Sequence, residues 1–312
     1  MNEVCSIAGD MVRWAVNTTQ WIPTDEQLNC CLAVLPPSEW SSVLRFSSKD
    51  DRKRALMSRL LQRKLFHDLL SIDYDSIRIE RTPTGKPYLV SVPNARLPHL
   101  NFNVSHDGDY VVIVSDPVSL VGTDIISRHS HSDLLPEKLF ENFTTYFTPF
   151  EWMIIRSGGP DSDSMLDQFY RHWCMKEAYV KAVGVGLGFE LHRAEFHYDK
   201  DMIWGDLAHV YIDGIVATEW QFFLHKLDPE HWVCVATGPP SVRPSSAPAV
   251  ANNDGESCHR TVFQSRSFTF LRVEDVLKEF GLQAASYDCG EYRIGADSEN
   301  ERRESTAPLS SS

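Results

Sequence analysis

No apolar run in the 312-residue sequence approaches the roughly 20 residues that cross a bilayer, so no membrane span is expected. There is no CxxC pair. The seven cysteines (Cys5, Cys30, Cys31, Cys174, Cys234, Cys258 and Cys289) are odd in number and scattered, which disfavours a zinc ribbon or a disulfide framework. Free thiols in a reducing compartment are the expectation, and the cytosol is the default. The opening residues, MNEVCSIAGDMVRWAV, lack a basic segment followed by an apolar stretch and are not expected to act as a signal peptide. Positive charge is scarce as well. A net charge of −13 argues against nonspecific nucleic-acid binding, in which Lys and Arg neutralise phosphates. What remains is a chain with 42% apolar residues, enough for one large domain or two modest ones.

The charge is uneven. Between Arg45 and Lys64, RFSSKDDRKRALMSRLLQRK holds eight basic residues against two acidic ones. Leu56, Leu60 and Leu61 are spaced to face a core, which predicts an amphipathic helix over about 49–70 with a basic outer face. That face is either merely solvated or a docking site for an anion or an acidic partner.

VRWAV reads as a strand, and a loop opened by Pro23 is expected to follow it. SIRIERTPTGKPYLV predicts two strands joined at Thr84-Gly85. LNFNVSHDGDYVVIVSD continues the strand pattern, with a tight turn at Asp107-Gly108. SLVGTDII is read as a strand ending at an aspartate, followed by a helical, aromatic-rich stretch over about 136–157. A further helix is predicted over about 165–183. Strands are expected at FELHRAEFHYD, HVYIDG, EWQFFLHKL and HWVCVAT. Each half thus gives a long helix and strands that suit antiparallel pairing, an α+β fold with a weak internal duplication. After Gly238 a Pro-, Ser- and Ala-rich linker is expected. RSFTFLRVEDVLKEFG could add one strand and one short helix, and ADSENERRESTAPLSSS reads as disordered.

In HWCMKEAYVKAVGVGLGFEL, Trp173, Glu177 and Lys181 fall at i, i+4 and i+8 and point roughly the same way. Alone, Glu177 and Lys181 would be a surface pair. The glycines after them follow a helix instead of opening one, so Gly184 is a C-cap and no dinucleotide loop is implied. In RTPTGKP, Arg81 and Lys86 bracket a turn whose backbone N–H groups could face an anion. NVSH places Ser105 and His106 at a strand end. GTDII makes Asp124 a turn former or a metal ligand. Together these residues suit attack on a pyrophosphate. Asp124 and Glu177 would offer hard oxygen ligands to magnesium, while Arg81, Lys86, His106 and Lys181 would neutralise phosphates.

VGTDII, FYRHWCMKEAYVKAVGVGLGFEL and NFNVSHDGDY, with RTPTGKP, resemble the 4′-phosphopantetheinyl transferases, most of all the long eukaryotic type, from about Val12 to Ala236. The resemblance implies a pseudo-dimer of two similar α+β halves, 1–116 and 117–240, each a long helix packed on an antiparallel sheet. Residues 241–312 would form a linker and a partly disordered tail. It also implies a monomer acting on acyl or peptidyl carrier proteins, with coenzyme A as substrate, magnesium in the cleft and 3′,5′-ADP released. By position, Asp124 and Glu177 would hold magnesium, Glu177 would also take the serine proton, and Lys181 would contact the pyrophosphate. Arg81, Thr82, Pro83, Thr84, Gly85 and Lys86 would line the coenzyme A site. So would Asn103, Val104, Ser105 and His106, with His106 near the 3′-phosphate.

The sequence departs from the family pattern at two places. Ile126 stands where some relatives carry a glutamate, leaving water or Asp107 to complete the metal shell. Ser42 stands where relatives place a basic residue for the 3′-phosphate, with Arg45 one turn on. A non-catalytic binding module of the same fold, or a phosphotransferase using another pyrophosphate, are the competing readings.

Overall fold

The computed structural model describes residues 11–90, 97–131, 135–157, 162–197, 207–240 and 267–282. In chain order the elements before residue 117 are β1 (Val12–Asn17), α1 (Asp25–Ala33), α2 (Pro37–Leu44), α3 (Lys49–Leu70), β2 (Ile79–Arg81), β3 (Pro87–Leu89), β4 (Asn101–Asp107) and β5 (Tyr110–Asp116). Between 117 and 240 come β6 (Ser119–Ser127), α4 (Pro136–Asn142), α5 (Pro149–Arg156), α6 (Ser162–Val183), β7 (Ala194–His197), β8 (Leu207–Ile212), β9 (Ile215–Val216), β10 (Gln221–Asp228) and β11 (His231–Pro240). β12 (Thr269–Leu271) and α7 (Val273–Glu279) follow. Among the described residues no helix is long and apolar enough to cross a membrane.

One sheet has the order β12-β1-β5-β4, antiparallel except for the β1–β12 pair. The other has the order β6-β11-β10-β8-β7, antiparallel throughout, with β9 beside β8. β2 and β3 form a separate hairpin. Period-two alternation buries both faces of each sheet. On β5, Val111 and Ile113 join the core under α3, while Val112 and Val114 join a core shared with Val121, Ile125, Val233 and Val235 of the other sheet. On β11, Trp232, Cys234 and Ala236 turn the other way, into the core under α6. The order is thus helix, sheet, sheet, helix. This is an α+β fold with antiparallel sheets.

Side chains, instead of a backbone ladder, join the sheets along β4 and β6. Asn101 Oδ1 accepts from Val121 N (3.1 Å), Asn103 Oδ1 from Thr123 N (2.9 Å) and Asp107 Oδ2 from Ser127 N (2.7 Å). Each rung spans 20 residues, so the two strands run alongside in parallel.

Several expectations need correction. Residues 25–33 are a helix, not loop, with Thr24 and Gln27 forming a capping box, and a further helix, not foreseen from the sequence, covers 37–44 with Pro37 in its first turn. The aromatic stretch over 136–157 is two helices, α4 and α5. Asp124 does not end its strand, because β6 runs on to Ser127. Residues 267–282 belong to the first core: β12 extends its sheet, and Val276 and Leu277 are buried with the residues under α3. The rest of the segment after 240 lies outside the described residues. Cys31, Cys174 and Cys234 are free and buried, but Cys30 is disulfide-bonded, contrary to the expectation for the cysteines as a set.

The largest correction concerns α3, which has no free basic face. Arg63 is 1% exposed, donating to Glu39 (2.5 Å) and to the carbonyls of Tyr74 and Ile77. Lys53 pairs with Asp50, Arg54 with Asp51, and Lys64 with Asp68 and Glu279. A helix packed on a sheet and flanked by α2 and α7 has little outside left.

Candidate active site

A cleft of about 690 Å³ opens above the β4–β6 seam, between α3 and α6. Its lining includes Arg81, Thr84, Gly85 and Lys86 from the hairpin, Asn103, Val104 and His106 from β4, and Glu177 and Lys181 from α6. Asp124 and Ser105 are buried beneath Lys181, which reaches both. Thr82 and Pro83 do not line the cleft. Thr82 instead closes the hairpin, its Oγ1 accepting from Lys86 N (3.1 Å).

The packing of α6 on β6 brings its carboxylate to Asp124. At Gly122 the helix comes so close that a Cβ would lie 2.2 Å from Ala178 O and 2.3 Å from Ala182 N. Only glycine fits there. Two residues on, Asp124 shares that face of the strand and therefore meets the same helix, beside Glu177 and Lys181. Gly184, at φ +76°, ends α6, its N–H donating to Val180 O (2.8 Å).

Lys181 does not form the surface pair with Glu177. Its Nζ donates to Asp124 Oδ1 (2.5 Å) and Ser105 Oγ (2.9 Å), and Ser105 Oγ also donates to Asp124 Oδ1 (3.0 Å). Burial raises the Asp124 carboxyl, with Lys181 opposing. Burial and then Asp124 raise Glu177, which makes no hydrogen bond or ion pair with another described residue. Burial also acts on Lys181, but Asp124 outweighs it and keeps the ammonium above its ordinary range. A buried carboxylate and a half-buried one that it pushes upward, the latter lining the cleft, suit a hard cation such as magnesium. No group of three or more potential ligands occurs among the described residues, so the remaining positions would fall to water and substrate oxygens.

Asp107 is taken up by Ser127 N and the Ser130 hydroxyl. Ile126 is buried in the core under α6. His106 is pushed down to about 4 by burial, with Arg54 and Lys181 adding to the shift, and so is neutral at pH 7. Lys86, lowered to about 8 by burial, has its ammonium surrounded by Ala182 O, Asn101 Oδ1 and Val121 O, in contrast to the phosphate-facing cation expected.

Farther along the cleft are Arg45, Arg59 and Arg81, with Ser42 beside Arg59 (3.1 Å). Burial lowers Arg59 to about 10, and Arg81 and Arg45 add to the shift; burial and Arg45 likewise lower Arg81. Glu39 opposes both shifts. Three arginines around one carboxylate leave an excess of positive charge that suits an anion. Sequence reasoning missed Arg59, which lies inside the basic stretch assigned to the outer face. Tyr146, Phe189 and Leu191, also unforeseen, give the cleft its apolar wall.

The family model described as "4'-phosphopantetheinyl transferase, N-terminal" matches residues 19–118, and that of the "4'-phosphopantetheinyl transferase superfamily" matches residues 120–236. The chain is 36% identical over 278 residues to the L-aminoadipate-semialdehyde dehydrogenase-phosphopantetheinyl transferase of Rattus norvegicus, covering 85% of each chain. It is 35% identical over 272 residues to the protein of that name from Homo sapiens, again with 85% of each covered. A phosphopantetheinyl transferase of Thraustochytrium sp. is 36% identical over 244 residues, or 76% of this chain and 82% of that one. With two matched models spanning both halves and a cleft in which Asp124, Glu177 and Lys181 converge, the chain belongs to the 4′-phosphopantetheinyl transferase superfamily.

Proposed function

We propose that the protein transfers 4′-phosphopantetheine from coenzyme A to a serine of an acyl or peptidyl carrier protein and releases 3′,5′-ADP. The observation that carries this reading is the convergence of a buried aspartate, a glutamate unpaired among the described residues and a lysine at one cleft that also holds three arginines. Asp124 and Glu177 would hold magnesium, which when bound offsets the charge of the pyrophosphate.

The serine oxygen bonds to the phosphorus that carries pantetheine, and the bond from that phosphorus to the oxygen of the ADP portion breaks. The serine proton passes to Glu177. Burial beside Asp124 raises the affinity of that carboxylate for protons, which suits it to act as the base. Lys181, held by Asp124 and Ser105, faces the pyrophosphate and neutralises charge on the departing phosphate. Arg45, Arg59 and Arg81 hold the nucleotide end, with the 3′-phosphate between them, and His106 contributes a neutral hydrogen-bonding edge. The two halves, 1–116 and 117–240, form a pseudo-dimer in this reading, with a long helix from each flanking the cleft. The enzyme is taken to be a cytosolic monomer.

The test is transfer of labelled pantetheine from coenzyme A to a purified carrier protein, with and without magnesium. The expected result is a mass gain of one phosphopantetheine at the acceptor serine, abolished by chelation. A carrier that stays unmodified at every metal condition, despite measurable coenzyme A binding, would favour the non-catalytic reading.

A further inference from the structure

Lys86 and Thr84 approach α6 from the opposite half of the chain. Lys86 Nζ donates to Ala182 O (2.7 Å), Asn101 Oδ1 (3.1 Å) and Val121 O (3.3 Å). An ammonium has three N–H donors, and these three acceptors use all of them. None is left for a phosphate. Thr84 Oγ1 donates to Gly184 O (2.5 Å). Ala182 and Gly184 belong to the end of α6, where carbonyls lack intrahelical partners and the helix dipole favours a cation. A Cβ added at Gly184 would come within 3.0 Å of the Lys86 side chain, so the hairpin lies directly against that end.

We propose that Lys86 and Thr84 are positioning residues that together cap the C-terminal end of α6 from the first half and so fix the catalytic helix. Lys181 precedes the capped Ala182 by one residue, and Glu177 lies one turn earlier. Holding the last turn sets how far Lys181 extends toward Asp124 and Ser105. Arg81 ends the first strand of the same hairpin and lines the anion end of the cleft, so one hairpin links nucleotide binding to the alignment of the helix. The assignment of Lys181 and Glu177 as the groups aligned rests on the proposed function. The cap itself does not.

The experiment therefore has two arms. In the first, amide hydrogen exchange of the unliganded full chain is compared for wild type, Lys86→Met and Thr84→Val. Faster exchange confined to the last turn of α6 is expected in both variants, with Thr84→Ser restoring protection. In the second, transferase kinetics are combined with titration of 3′,5′-ADP. The kcat should fall about 10- to 100-fold in Lys86→Met, as a small misplacement of catalytic groups would cause. Thr84→Val should lose less and Thr84→Ser should recover, while 3′,5′-ADP affinity stays within about threefold throughout. Unchanged exchange at the end of α6, or a loss of 3′,5′-ADP affinity of about tenfold or more in Lys86→Met, would overturn the proposal, the latter making Lys86 a phosphate ligand. Should Lys86→Met fail to fold, the exposed Thr84 variants decide the matter by the same measurements. Absence of transferase activity in wild type would count against the function alone, with the exchange arm still deciding the cap.

Discussion

The two long helices, α3 and α6, each have 22 residues, and each packs one face on a sheet. They differ in what happens to their charges. Every basic side chain of α3 from Lys53 to Lys64 has an acidic partner, and Arg63 is sealed between Glu39 and two carbonyls. On α6, Lys176 is equally sealed, donating to Glu151 (2.9 Å), Leu191 O (3.0 Å) and Ala194 O (2.5 Å), with neither partner of the pair exposed. Five residues on, Lys181 is bound on one side only, and Glu177 has no partner among the described residues. Among the described residues Lys176 has three acceptors for its three donors and Lys181 has two, so the donor left on the cleft side marks the working charge.

Replacing the open carboxylate should have the largest effect. Glu177→Gln is expected to lower kcat by about 10²- to 10⁴-fold while coenzyme A affinity changes little. Near-normal turnover would place Glu177 with the inert charges of α3. Lys176→Met should instead cost stability, about 3–5 kcal/mol, because Glu151 is left buried and unpaired. Chemical denaturation would measure it, and pairing the change with Glu151→Leu should recover much of the loss. Lys181→Met should show the opposite balance, with turnover lost and a smaller change in denaturation midpoint.

His106 sharpens the comparison through pH. Its folded pKa of about 4 lies below the ordinary value of 6.5, so the native state sheds its proton first. The neutral imidazole's contribution is complete above 6.5 and is lost as pH falls through 4. Stability profiles of wild type and His106→Gln should therefore diverge over that window, by on the order of 3 kcal/mol. Arg54, Lys181, Asp107 and Asp51 also act on this ring, so the difference between profiles is the quantity to read. Parallel profiles would mean that the histidine titrates normally.

Smaller effects are expected farther out. Arg59→Ala should raise the KM for coenzyme A about tenfold, and less for dephospho-coenzyme A, if the arginines meet the 3′-phosphate. An equal penalty with both substrates would make Arg59 structural, like Arg63. Lys49→Ala removes an exposed pair with Asp25 and should leave the denaturation midpoint essentially unchanged.

Long, strongly patterned elements are legible in the sequence. The basic helix expected over about 49–70 spans Lys49–Leu70, and the hairpins expected to turn at 84–85 and 107–108 do so one residue away, at 83–84 and 108–109. Helices α1 and α2 are not legible, because 9 and 8 residues leave little room for a period to show. Asp124, Glu177 and Lys181 can be picked out individually, and their meeting depends on Gly122 and on packing that no local pattern encodes. The sequence misleads most on α3. Arg59 and Arg63 look alike along the chain and both approach Glu39; the carbonyls of Tyr74 and Ile77 around Arg63 and the cleft edge beside Arg59 tell them apart.

The side-chain seam between β4 and β6 makes the joint between the halves unusually open to mutation. A backbone ladder survives almost any substitution, since every residue but proline brings the same two groups. Along this seam each rung is a particular amide or carboxylate. Asn103→Ala would delete one outright and leave Thr123 N–H buried without its acceptor. The floor of the cleft is thus spelled out in single letters, and a few codon changes at 101, 103 and 107 would strip its polar rungs and leave the shared apolar core to hold the sheets together.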